Sequence, residues 1–178
     1  MQNLEFKAEL REPDLARAAL RRLGASPVGV VKQVDTYYRV ASGRLKKRET
    51  EFDGSPEPAE IIHYERHDRA LPKISKFDIY TEEQAAERFG TLPLPVWLTV
   101  SKTREIFMHS GVRIHLDEVD DLGRFLEFEA LVTKTQNMAK CNELVGDLRQ
   151  ALGPTLGEPI SVSYSDLLAA KLGESEHA

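Results

Sequence analysis

Apolar and polar residues alternate along most of the chain, and this alternation predicts β-strands. In the segment GRFLEFEALV, Leu126 and Phe128 fall on one face of an extended strand, and Glu127 and Glu129 fall on the other. The other segments with alternation, or with many β-branched and aromatic residues, are 3–10, 30–40, 44–52, 59–66, 73–80, 96–109 and 112–119. Short connections between them, including the hairpin signal Ser110-Gly111, predict antiparallel pairing.

A helical repeat of apolar residues marks four further segments, 12–24, 81–90, 135–152 and 163–171. The first of these places Leu15, Ala19 and Leu23 on one helix face, which we expect to cover the sheet, and it ends at Gly24. The third carries an apolar stripe that is predicted to pack in the core, formed by Met138, Cys141, Val145, Leu148 and Leu152.

These elements favour an α+β fold that is mainly antiparallel β. An open sheet of about eight strands leaves two edges exposed, whereas closure removes both edges. We therefore predict an eight-stranded, closed, tunnel-like barrel with flanking helices. The 178 residues suit one domain, which we place at residues 1–172, with a flexible C-terminal tail at 173–178.

Composition narrows the classes of function. A net charge of -5 argues against a general nucleic-acid binder, which is usually basic. No segment approaches the roughly 18 apolar residues that a membrane-spanning helix needs, and the first residues lack a signal-peptide pattern. The single cysteine, Cys141, suits a reducing compartment. We expect a cytoplasmic protein that binds neither nucleic acid nor membrane, and the sequence leaves a homodimer open.

Charged side chains separate by sign when each predicted strand is sorted by face. The positive sets are Arg44, Lys46 and Arg48 in one strand and Lys102 and Arg104 in another, and the negative set is Glu127 with Glu129. One explanation is a merely solvated sheet face. Solvated faces usually mix signs, however, because like charges opposite each other cost stability. The separation therefore favours external partners: a polyanion for the basic rows and a divalent cation with oxygen ligands for the carboxylates.

A closed barrel with these faces inward cannot have a dry core, because burying unpaired charge is prohibitive. We therefore expect a wet, open-ended interior, with Leu126 and Phe128 facing outward beneath the helices. Tyr164 and Asp166 in the last helix either close one mouth of this tunnel or simply cap it. His115 falls on the charged face, where it either touches phosphate or serves as a structural histidine.

The chain resembles the CYTH superfamily, also called triphosphate tunnel metalloenzymes, and is most similar to its bacterial class IV adenylate cyclase and thiamine triphosphatase branches. The matching segments run in order through nearly the whole chain. They are NLEFKAEL, DTYYRVASGRLKKRE, IIHYERHDRALPKISKF, SKTREI, RIHLDEVDDLGRFLEFE and SYSDLL. One position departs from the family pattern Glu-x-Glu-x-Lys in the first strand, where Asn3 replaces the first glutamate.

The resemblance implies a tunnel that binds a triphosphate-bearing small molecule together with Mg²⁺ or Mn²⁺. It implies that phosphate is contacted by Lys7, Arg44, Lys46, Arg48, Arg66, Lys102, Arg104 and Arg113. It also implies that metal is bound by Glu5, Asp117, Glu127 and Glu129, with Glu5 and Lys7 acting in catalysis.

These expectations predict metal-dependent hydrolysis of inorganic, nucleoside or thiamine triphosphate. Two alternatives stay open. One is a class IV adenylate cyclase, in which the ribose 3′-hydroxyl of ATP attacks the α-phosphorus and pyrophosphate leaves. The other is a polyphosphate-binding module without turnover, which the missing charge at Asn3 favours.

Overall fold

An antiparallel β-barrel forms the centre of the fold. The structure is a computed structural model that describes residues 1–66, 72–90 and 94–173, apart from the side chain of Arg66. In these ranges the strands are β1 (Gln2–Leu10), β2 (Ser26–Tyr38), β3 (Arg44–Phe52), β4 (Ser55–Pro56), β5 (Glu60–Arg66), β6 (Lys73–Tyr80), β7 (Val96–His109), β8 (Val112–Val119), β9 (Gly123–Leu131) and β10 (Leu156–Pro159). The α-helices are α1 (Pro13–Leu23), α2 (Glu82–Phe89), α3 (Met138–Leu152) and α4 (Tyr164–Leu172).

Eight of the strands in the described ranges close into a ring. Their order is β1-β6-β5-β3-β2-β7-β8-β9, and β9 pairs with β1 from Phe125 opposite Glu9 to Leu131 opposite Asn3. β4 and β10 lie off this ring, paired with β3 and with the end of β1. The closed ring leaves none of its eight strands as an unpaired edge. The predicted eight-stranded closed barrel is therefore confirmed.

Alternation along each ring strand divides the side chains between the barrel interior and an outer core. Leu4 and Phe6 of β1 and Leu126 and Phe128 of β9 point outward and pack together, with the Phe6 and Phe128 rings stacked 6.0 Å apart. α3 covers this surface with the predicted stripe, of which Cys141, Val145, Leu148 and Leu152 are buried and Met138 is partly buried. The charged residues between the outward positions consequently face inward.

α1 also covers the outer core, but with a different face from the predicted one. Leu15 and Leu23 are 57% and 36% exposed, whereas Ala16, Ala19 and Leu20 are buried. The prediction was right for Ala19 and wrong for Leu15 and Leu23, because two adjacent stripes of the helix both carry apolar residues at helical spacing. Periodicity alone does not choose between such stripes, and here the choice is made by packing against the barrel wall.

The connection between β7 and β8 has the predicted hairpin geometry. Ser110 and Gly111 both adopt positive φ, at 49° and 77°. Two such residues in succession form the turn whose twist matches that of the flanking strands. This turn fixes the register that places Arg104 opposite Asp117 inside the barrel.

α4 packs across one end of the barrel. Its Tyr164, Leu168 and Ala169 are buried in an apolar cluster with Leu98 and Phe125, which point inward from β7 and β9. A capping box between Ser163 and Asp166 starts the helix. None of the helices in the described ranges combines the length and apolar composition needed to cross a lipid bilayer. The predicted flexible tail lies outside the described residues, except for Gly173.

Candidate functional site

The barrel interior contains a cavity of about 950 Å³, lined by inward-facing side chains. At one end lies the apolar cluster that α4 completes. At the opposite end the lining includes Val28 and Leu131, which are 48% and 41% exposed, so the cavity opens to solvent there. Between the two ends the lining is largely charged. The interior is thus a single cavity in which the charged side chains of several strands meet.

A buried carboxylate, Asp35, binds three of the predicted phosphate ligands together. It accepts hydrogen bonds from Lys46 Nζ at 2.9 Å and from Lys102 Nζ at 3.0 Å. Arg48 donates to both of its oxygens, through Nε and Nη2, at 2.8 Å each. Asp35 lies on β2, between β3, which carries Lys46 and Arg48, and β7, which carries Lys102. We call this group the cationic cluster.

The charges in this cluster shift one another's pKa values. Burial alone raises the pKa of Asp35, but the positive charges of Arg48, Lys102 and Lys46 outweigh it and hold the pKa well below the ordinary value. Burial lowers the pKa of Lys102 to about 7; Asp35 opposes this shift, and the like charges of Arg48 and Arg104 add to it. Three cations that share one carboxylate retain a net positive charge, which suits a polyanionic ligand.

Arg104 forms a second ion pair beside the cationic cluster. Its Nε and Nη2 donate to the two oxygens of Asp117 at 2.7 and 2.8 Å, a bidentate arrangement. The Tyr164 hydroxyl also donates to Asp117, at 2.6 Å. Asp117 was predicted to bind metal. In the described structure it orients Arg104 and anchors the first turn of α4.

Carboxylates occupy the wall formed by β9 and β1. Glu129 faces Glu5 across the β1–β9 ladder, and Glu127 faces Lys7. The Lys7 Nζ lies 3.8 Å from Glu127 and donates to the carbonyl oxygen of Val162 at 3.2 Å. The structure thus brings together Glu5, Lys7, Glu127 and Glu129, as the alternation predicts.

The neighbouring carboxylates of Glu127 and Glu129 differ in protonation. Burial, and then the negative charge of Glu127, raise the pKa of Glu129 to about 8. Burial alone raises the pKa of Glu127 too, but the adjacent His115 and the charges of Lys7 and Arg104 hold it well below the ordinary value. A pair that resists double ionisation is a place where a divalent cation relieves repulsion.

His115 lies beside this pair. Its imidazole is 1% exposed, and its pKa is lowered to about 4, mainly by burial and then by the charge of Arg104. Ligand atoms of His115, Glu127 and Glu129 all lie within 4.8 Å of one another. Two carboxylates and one neutral imidazole form a donor set that fits a divalent metal ion.

Three predicted residues remain, of which Arg113 lies opposite Glu129 on the neighbouring strand. Arg44 pairs with Asp166 of α4 at 3.0 Å and is not among the cavity-lining residues of the described ranges. Arg113 lines the cavity and is exposed. Arg66 ends β5, and its side chain lies outside the described residues.

Sequence reasoning missed two buried charges, Asp35 and Lys73. Lys73 donates to the carbonyl oxygen of Ser161, in the segment that precedes α4, at 2.5 Å. Alternation within KISKF and VDTYY places both residues on inward faces. That signal was available, but the partners of these residues come from strands that are distant in the sequence.

Comparisons with known proteins place the chain among proteins of one fold. The profile of the CYTH domain matches residues 1–157. The PH1819 protein from Pyrococcus horikoshii OT3 is similar, with a TM-score of 0.70 and 24% identity over 95% of this chain and 99% of that chain. A candidate adenylate cyclase from Vibrio parahaemolyticus has a TM-score of 0.64 and 17% identity over 94% and 97% of the two chains.

A candidate adenylyl cyclase from Hippeastrum, for which a dominant triphosphatase activity is described, also has a TM-score of 0.64, with 13% identity over 98% and 97% of the two chains. No curated protein sequence matches the chain. At these identities the structural likeness shows the fold.

Proposed function

Because this chain belongs to the CYTH domain family, we propose that it is a metal-dependent phosphohydrolase that acts on triphosphate groups inside its barrel. The observation that carries the proposal is the convergence of two opposite sets of charge on one cavity. The cationic cluster and Arg104 line one part of it, and Glu5, Glu127 and Glu129 line another. A polyphosphate bridged by a divalent cation neutralises both sets at once.

The cationic side chains bind the phosphate chain. Arg48 and Arg104 offer planar, forked donors that match phosphate oxygens, whereas Lys46 and Lys102 act as point charges. In the described structure their donors are directed at Asp35 and Asp117. Those two carboxylates hold the four cationic side chains in place at the cavity wall, so that a phosphate meets a set of charges that is already arranged.

Glu127 and Glu129, with Glu5 beside them, are the residues proposed to hold Mg²⁺ or Mn²⁺. Asp117 stays a predicted ligand, because its oxygens become available only if Arg104 turns to a phosphate. When bound, such an ion neutralises phosphate charge and can lower the pKa of a coordinated water molecule. Asn3 lines the same cavity and can offer an amide oxygen without charge.

In the proposed reaction, a water oxygen forms a bond to the terminal phosphorus while the bridging P–O bond breaks. Inorganic phosphate and the shortened substrate then leave. The protein contributes alignment and neutralisation of the charge that develops on the phosphate oxygens. Glu5 can take up the proton that water loses, and Lys7 can stabilise charge on the terminal phosphate.

A substrate panel with product analysis tests this proposal. Tripolyphosphate, ATP and thiamine triphosphate are each incubated with Mg²⁺ or Mn²⁺, and phosphate, pyrophosphate and cyclic AMP are quantified. Release of phosphate supports the proposal. Cyclic AMP with pyrophosphate identifies the cyclase instead, and binding without any product identifies a non-catalytic module.

Substitutions of cavity residues test whether the activity resides in the cavity. We expect Glu129→Gln to lower kcat by at least about 100-fold and Arg48→Ala mainly to raise KM, because only the first removes a metal ligand. Glu143→Gln, on the exposed face of α3, is the matched control for loss of a carboxylate. If Glu129→Gln is as active as this control, the active site does not lie at the proposed position.

A further inference from the structure

The two ring nitrogens of His115 are buried polar atoms without a hydrogen-bond partner among the described residues. Nδ1 lies 3.5 Å from Glu127 Oε1, at the outer limit of hydrogen-bond distance and outside its preferred geometry. Buried side-chain nitrogens nearly always have a partner, so an orphaned imidazole beside two carboxylates that line a charged cavity needs an explanation.

The neighbours of His115 offer no structural partner that would explain it. On β7 the residue opposite is Ile106, which has no polar side-chain atom. On its own strand, Asp117 is occupied by Arg104 and Tyr164. On β9 the residue opposite is Glu127, whose carboxylate belongs to the proposed metal site. The imidazole is therefore held against the carboxylates rather than within a hydrogen-bond network.

We propose that His115 is a nitrogen ligand of the divalent metal, completing a mixed site with Glu127 and Glu129. Ligand atoms bound to one ion at about 2.1 Å lie at most about 4.2 Å apart, so side chains now within 4.8 Å of one another need only a small adjustment. The inference rests on the proposed function for the presence of a metal, but it concerns which ion the cavity selects.

An imidazole ligand changes which metal ion a carboxylate site binds most tightly. Mg²⁺ keeps to oxygen ligands, whereas the first-row transition ions, of which Mn²⁺ binds most weakly, also bind sites that contain an imidazole nitrogen. A site with one histidine and two glutamates therefore binds Mn²⁺ in preference to Mg²⁺. A site built only from carboxylates gives less advantage to Mn²⁺.

Pulsed EPR of the Mn²⁺-loaded protein, without substrate, tests the ligand directly. We expect a magnetic coupling from a directly bound nitrogen, which disappears in His115→Gln. His109→Gln is the matched control, because His109 ends β7 and does not belong to the cluster that His115 forms with Glu127 and Glu129. Growth with isotopically labelled histidine changes the coupling of the unmutated protein, so the test does not depend on folding of the variant.

Metal titrations test the preference. We expect His115→Gln to weaken Mn²⁺ binding at least about tenfold and Mg²⁺ binding less than about threefold. Absence of a nitrogen coupling in the Mn²⁺-loaded protein, or equal weakening for both ions, overturns the inference. If the coupling is present but no triphosphate is hydrolysed, the ligand assignment stands and the proposed function fails. If triphosphate is hydrolysed without the coupling, the proposed function stands and His115 is not a metal ligand.

Discussion

At the residue scale, Asp35 determines how the cavity tolerates its positive charge. Removing this carboxylate leaves Lys46, Arg48 and Lys102 close together without a shared counter-charge. We expect Asp35→Asn to lower the free energy of unfolding by about 3 kcal/mol in metal-free buffer, since breaking a buried ion pair strands the remaining charges. Urea unfolding measures this change.

Tripolyphosphate is expected to restore part of that loss, because it supplies the missing negative charge. The added stability should therefore be larger in Asp35→Asn than in the unmutated protein. Asp147→Asn, on the exposed surface of α3, controls for the loss of one carboxylate. If tripolyphosphate stabilises all three proteins equally, the cationic cluster does not bind it.

Glu129 is expected to make stability depend on pH. Its pKa of about 8 in the folded protein exceeds its ordinary value of 4.5, so the folded protein binds this proton more tightly than the unfolded chain does. The contribution to stability is complete below about pH 4.5 and is lost as pH rises through about 8. Without metal, Glu129→Gln should match the unmutated protein near the acidic limit and exceed it by about 1–3 kcal/mol above pH 8.

Glu127→Gln is the contrasting variant. Its carboxylate is already ionised and is stabilised by Lys7 and Arg104, so its removal should destabilise the protein at about pH 8. Denaturant unfolding of both variants across this pH range makes the comparison. Equal effects of the two substitutions would contradict the inference that Glu127 and Glu129 differ in protonation.

The inward-facing residues of the site could largely be predicted from the sequence, because strand alternation needs only local information. Their partners could not. The register that places Asp35 between β3 and β7 depends on pairings between distant segments. The basic row therefore looked unpaired in the sequence, whereas in the folded chain a carboxylate from the next strand binds it.

At the scale of elements, α4 is the feature that covers the apolar end of the barrel. Leu168 is buried against the apolar end of the barrel, while Leu172 of the same helix is exposed. We expect Leu168→Ala to cost about 2–3 kcal/mol in the free energy of unfolding, through lost burial and a residual cavity. Leu172→Ala should change it by less than about 0.5 kcal/mol. Urea unfolding compares the two, and similar effects would show that α4 does not pack across this end.

The four helices and the eight ring strands were predictable, since each carries its own periodicity and turn signals, whereas the short strands β4 and β10 were not predicted. The face that α1 buries was not, because Leu15 and Leu20 lie on neighbouring stripes and only packing distinguishes them. The apolar cluster that α4 completes at one end of the barrel was also not predictable from the sequence. Leu98 and Phe125 continue the inward faces of charged strands, and the pattern of those strands does not show what covers such residues.

At the scale of the whole molecule, the closed barrel gives the cavity a collective charge that couples ligand binding to protons. Lys102 has a pKa of about 7 in the described structure because of its burial and its cationic neighbours. Its amine is therefore mainly neutral at about pH 8. A bound triphosphate places negative charge beside Lys102 and favours the ammonium form, so binding should take up a proton.

Calorimetric titration with tripolyphosphate, in metal-free buffers of different ionisation enthalpy, measures this uptake. Glu129 titrates in the same range, so the experiment uses the Glu129→Gln background. We expect uptake of about 0.5–1 proton per ligand bound near pH 8, falling toward zero when Lys102→Met is added. Lys140→Met, on the exposed part of α3, should leave the uptake unchanged. Proton uptake that persists in the Lys102→Met protein would mean that another group responds to the phosphate chain, and that Lys102 does not face it.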